Sequence, residues 1–192
     1  MSTDIQTTTA LALKEWGAVA RALLDGRQTV LLRKGGIHEK AFEVSEDRFV
    51  LFPTVAHSHR DRVRPEHAAL LALGESDVHE AVGQFTVRCG ATLVDVVPVA
   101  RPAGLDELDD LHIWTAEHVR ERLTFRPRHP LQVLVVRAVE LPQPVTLPRL
   151  AAYGGCTSWV DLPLAWNGRA GRQVHSEQRL AADAARVRSA VA

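Results

Sequence analysis

Apolar residues fall into short, bounded runs, most with the two-residue alternation of a strand and fewer with helical spacing. Residues 131–141 are the clearest case. Leu131, Val133 and Val135 face one way and Leu134 and Val136 the other, which predicts a central strand buried on both faces. Residues 49–52, Phe-Val-Leu-Phe ahead of Pro53, read as a second buried strand. Residues 84–89 and 92–99 read as two more with Gly90 between them, and Phe42 with Val44 suits a short one.

Residues 13–24 fit both periods: Trp16, Val19, Ala20 and Leu23 at helical spacing, Trp16, Ala18, Ala20 and Ala22 at strand spacing. Asp25-Gly26 offers the positive φ of a tight turn, and residues 29–33 are strongly β-prone. The expectation is a β-hairpin of residues 15–23 and 28–33, with a helix for the first arm as the alternative. Pro65 and Gly74 frame a short helix at 65–73, and Leu105, Leu108 and Leu111 sit at helical spacing. Thr115 is placed to cap a helix at 116–123. Ser176 opens a last helix with a Leu180, Ala184, Val187 and Val191 stripe, and Pro142, Pro144 and Pro148 suggest an extended connector.

Roughly seven short strands with helices gathered late predict an α+β fold, not a βαβ alternation. The expected architecture is a single domain, mainly antiparallel sheet with a few short helices and a C-terminal helix. Its expected divisions are a disordered leader at 1–9, the domain at 10–164 and a helical extension at 165–192.

Charge removes some partners. Lys+Arg and Asp+Glu both number 23, so no global field draws the chain to nucleic acid or membrane, and such binding needs a local patch. Lysine occurs only at 14, 34 and 40, the arginine bias of a GC-rich genome. Cys89 and Cys156 form no CxxC pair, which fits a reducing compartment. The polar first nine residues and the absence of a long apolar run point to a cytoplasmic protein without membrane association. There is no Gly-rich Lys-Ser/Thr loop, no GxGxxG fingerprint and no Gly-x-Ser-x-Gly elbow. No cofactor and no metal are assigned.

Four constellations remain. Arg33, Lys34, Gly35 and Gly36 end a strand with two cations and two glycines, a composition that cradles phosphate or carboxylate, and also that of a solvated turn. Residues 52–60 leave a buried strand and deliver His57, His59 and Arg60, followed by Arg62 and Arg64. His57 with His38, Glu39 and His112 has the chemistry of a nitrogen and oxygen metal site or of acid/base groups, against the plainer role of fixing turns. His112 and Trp114 precede a helix N-terminus, where an anion sits well and an indole stacks on a base; equally, Trp114 staples that helix to the core. Cys156 after Gly154-Gly155 reads as a small structural residue.

Residues 12–16, Ala-Leu-Lys-Glu-Trp, 31–39, Leu-Leu-Arg-Lys-Gly-Gly-Ile-His-Glu, and 51–54, Leu-Phe-Pro-Thr, with His57, then His112-Ile113-Trp114-Thr115 and Gly155-Cys156-x-Ser158-Trp159-Val160, recur together. In that order, over about residues 11–162, they resemble the bacterial family catalogued as domain of unknown function 1802. Val55-Ala56 departs from that family's pattern, which has an aromatic and an acidic residue there. The resemblance implies no established activity; it implies an association with restriction-modification systems, because members of the family occur beside Mrr-type endonuclease domains. The leading expectation is therefore a nucleic-acid-associated accessory protein of DNA restriction or defence, partnered by DNA and by a restriction-endonuclease-type protein. Its contacts would be Arg33, Lys34, Gly35, Gly36, Arg60 and Trp114. A nonenzymatic protein-partner module and a metal-assisted phosphate-ester hydrolase using His38, Glu39, His57 and His112 stay open beside it.

Overall fold

The computed structural model describes residues 9–34, 43–55 and 57–192. In chain order the regular elements are β1 (Ala10–Trp16), α1 (Gly17–Leu24), β2 (Val30–Arg33), β3 (Arg48–Thr54), α2 (Ala69–Glu75) and β4 (Val78–His79). They continue with β5 (Gln84–Pro98), α3 (Ala116–Thr124), β6 (Gln132–Pro148), β7 (Trp159–Leu162), β8 (Arg172–Gln173) and α4 (Glu177–Val191). Short 3-10 segments fill His57–Arg62, Pro65–His67 and Pro102–Leu111, among others.

The strands make one mixed sheet, ordered β2-β6-β5-β3-β1-β7, with β4 on β5 and β8 on β6. All pairs are antiparallel except β1 with β3, which run parallel from Ala12↔Val50 to Trp16↔Thr54. The long β5–β6 ribbon shifts register twice, between Val87 and Cys89 and between Leu93 and Asp95. Bulges of this kind bend and twist a ribbon. The fold is thus α+β, and β6 carries the doubly apolar run: Val133, Leu134, Val135 and Val136 are all fully buried.

The first hairpin is not formed. Residues 17–24 are helical, and Asp25-Gly26 ends that helix instead of turning a ribbon. Gly26 N–H donates to Leu23 O (3.3 Å) and Arg27 N–H to Ala22 O (2.9 Å), with Gly26 at φ +75°. This is a Schellman termination, which uses the same left-handed glycine a hairpin turn would use. Gly74 likewise lies inside α2, where it allows α1 to approach: a Cβ on Gly17 would stand 2.5 Å from Gly74 O. Gly90 does not interrupt β5, because the Trp166 ring covers it at 2.4 Å from where a Cβ would be. The proline connector is a strand too. Pro142 and Pro144 fall where four residues of β6, 141–144, stand outside the ladder, so their missing N–H groups cost no pairing.

Other local signals hold. Thr115 Oγ1 accepts from His118 N–H and Ser176 Oγ from Arg179 N–H, both at 3.2 Å, capping α3 and α4. Leu105, Leu108 and Leu111 are buried in a 3-10 segment. Ala184, Val187 and Val191 of α4 share the main core with Leu13, Val19, Leu31 and Val135. A smaller core of Val50, Phe52, Phe85 and Leu162 forms a second cluster.

Candidate functional site

The parallel pairing of β1 with β3 brings Glu15, Trp16 and Thr54 to one end of the sheet, where Thr54 Oγ1 donates to Glu15 O (3.1 Å). The sheet curls enough for edge strand β2 to meet β1. There Arg33 Nη1 donates to Lys14 O and to Glu15 Oε2, both at 3.2 Å. Glu15 is only 3% exposed and also accepts from Trp16 N–H (2.9 Å). A carboxylate this deep is stable only with such partners.

Helix α3 closes the site. Its start is fixed by the Val63↔Trp114 bridge and by Thr115 N–H donating to Arg62 O (2.9 Å). The stripe facing the sheet is His118, Val119, Arg122 and Leu123, so two polar side chains occupy helical spacing that normally goes to core residues. Arg122 Nη1 donates to Leu32 O (3.1 Å) and its Nε to His118 Nε2 (3.3 Å). His118 must therefore carry its proton on Nδ1, toward Glu121 Oε2 (3.3 Å), which also meets Arg62 (3.5 Å). Burial and the nearby Arg122 push the His118 pKa down to about 4. Burial, moderated by Glu15 and reinforced by Arg33 and Arg62, pushes Arg122 down to about 10. Lys34 is also buried, its ammonium donating to Leu123 O at the C-terminal end of α3 (2.5 Å), and burial lowers its pKa.

The sequence-predicted residues separate. Arg33 and Lys34 are in this cluster; Gly35, Gly36, His38 and Glu39 lie outside the described residues. His57 opens the 3-10 segment His57–Arg62, and Arg60 is exposed on it. Trp114 is 2% exposed, its ring 4.7 Å from Trp16 and 4.8 Å from His118, so it has no free face for a base. It is the staple of α3. His112 is fully buried: Nδ1 accepts from Trp114 N–H (3.2 Å), and burial followed by Arg64 pushes its pKa down to about 3. Arg64 belongs to the scaffold, donating to Trp114 O (3.1 Å) and His112 O. No group of three metal-ligating side chains occurs among the described residues, and no described helix is long and apolar enough to cross a membrane.

Sequence reasoning missed His118, Glu121 and Arg122. The available signal was the stripe itself, where a histidine and an arginine four residues apart interrupt the apolar positions.

The fold and this cluster define a single-domain α+β protein with a buried, cation-rich ion network at the strand ends. The chain belongs to the family described as Domain of unknown function (DUF1802), matched over residues 12–186. No curated protein matches it. Among solved structures it is similar to ASCH from Zymomonas mobilis, at 14% identity over 95% of each chain with a TM-score of 0.44. It is also similar to two mutants of that protein. One shares 14% identity over 95% of this chain and 98% of the other (TM-score 0.43), and the second 15% over 70% and 72% (TM-score 0.41).

Proposed function

We propose that the chain is a nucleic-acid-associated accessory protein of a bacterial DNA restriction or defence system, contacting phosphate at the ends of β1, β2 and β3. The observation that carries this is the charge of the site: among the described residues, Arg33, Lys34, Arg62 and Arg122 gather around Glu15 and Glu121, two more cations than anions. A neutral chain that concentrates cations in one place creates the local field that phosphate binding requires. Arg33, Lys34 and Arg122 act as scaffold and field. Arg60 and the half-exposed Arg62 are the side chains able to leave the protein surface and meet a phosphate.

The test is binding of labelled duplex and single-stranded DNA across a salt series, comparing the native chain with Arg60→Ala and Arg62→Ala. Binding is expected to weaken steeply with salt, with each variant reducing the salt slope by about one. No binding by the native chain at low salt would remove this reading.

The partner-module alternative has one favourable observation. A groove of about 340 Å³ between α1 and α2 is lined by Leu24, Leu70, the half-exposed Leu73, Arg21 and Arg27. The metal-assisted reading loses ground at His112, whose ring is committed inside the core.

A further inference from the structure

We infer that the turn leaving α3 is a binding face for single-stranded DNA, with Phe125 stacking on a base and Arg126 and Arg128 beside the backbone phosphates. This rests on the phosphate-site reading above and adds the strandedness of its ligand.

Three observations converge on the turn. The first is charge: residues 120–130, Arg-Glu-Arg-Leu-Thr-Phe-Arg-Pro-Arg-His-Pro, hold four arginines and one glutamate in a chain of net charge zero. The second is the ring. Phe125 is 48% exposed and is the one aromatic among the exposed large hydrophobic side chains of the described residues. Exposed aromatics next to cations are what sequence-tolerant binding of unpaired bases uses, because every base offers a flat face. A duplex hides those faces, so Phe125 distinguishes the two forms.

The third is backbone geometry. Phe125 is the C-cap of α3, its N–H donating to Glu121 O (2.9 Å) while its own backbone turns extended. Arg126 follows at φ +51°, a left-handed conformation disfavoured for any residue with a Cβ and typically retained where it positions a functional group. The turn closes with His129 N–H donating to Arg126 O (2.9 Å), and Arg126 Nη2 meets His129 Nε2 at 3.2 Å. Phe125 and Arg128 are thus held outward on a closed turn. Lys34 reaches Leu123 O and Arg62 reaches Glu121 on the same last turns of α3, so the face is continuous with the cation cluster.

The deciding experiment is fluorescence anisotropy with labelled oligothymidylate and with a duplex of equal length. It compares the native chain, Phe125→Ala, Phe125→Trp and Arg128→Gln, with unlabelled polyglutamate as competitor. Phe125→Ala is expected to weaken single-strand binding about tenfold while leaving duplex affinity and the salt slope unchanged. Phe125→Trp should retain binding, and Arg128→Gln should lower the single-strand salt slope by about one. Equal losses on both DNA forms, no loss in Phe125→Ala, or displacement by polyglutamate as effective as by unlabelled DNA would overturn the inference and leave the phosphate site standing. A native chain that binds neither DNA would overturn both.

Discussion

His112 and His118 show how much a single buried ring commits. Both are held neutral, with pKa pushed down to about 3 and about 4, chiefly by burial. In the unfolded chain each would titrate near 6.5. Between those values the unfolded chain binds protons that the folded one refuses. The stabilising contribution is therefore complete above about pH 6.5 and is lost as pH falls, by up to about 1.4 kcal/mol per pH unit for each ring. Urea unfolding at intervals from pH 7 to 4.5 should show this fall, and His118→Gln should reduce the slope by about one ring's share. An unchanged slope would mean that His118 is charged in the fold. Residue-level chemistry was partly legible: Arg33 and Lys34 stood out because two cations end a β-prone run. Trp114 did not announce its burial, since an indole before a helix cap looks the same whether it faces solvent or Trp16.

At the level of elements, signals that act within a few residues were readable. Thr115 and Ser176 sit before helices and cap them, because a side-chain oxygen and an orphan N–H three residues on are fixed by local geometry alone. Asp25-Gly26 was ambiguous for a physical reason. A left-handed glycine serves a hairpin and a Schellman termination equally, and the choice was made by α1 burying Val19, Ala22 and Leu23. Gly26→Ala should cost roughly 1–2 kcal/mol, measured as a shift in the urea midpoint, because alanine is strained at φ +75°. Gly90 and the prolines of β6 misled because strand continuity is decided by a partner about fifty to sixty residues away, as in Gly90↔Val139 and Phe85↔Leu147. The ion network was illegible for the same reason: Arg122 reaches Leu32 across 90 residues.

For the whole molecule, α4 shares one apolar core with β2, β5 and β6, so helix and sheet should unfold together. Val187→Ala removes a fully buried side chain and should cost about 2 kcal/mol. Tryptophan fluorescence, from Trp16 and Trp159 on the sheet and Trp114 and Trp166 in the segments beside it, and far-ultraviolet circular dichroism should shift by the same amount. A helix signal that moves alone would show α4 to be a separate unit. The sheet also sets an order of events. β1 pairs through Ala10↔Leu162, so β1 leaves a ribosome with one edge that stays open until β7, about 150 residues later, arrives. At about 5–20 residues per second that wait is roughly 8–30 s. During synthesis the nascent chain carries an unzipped β edge, and a chaperone that covers extended segments would find its docking point there.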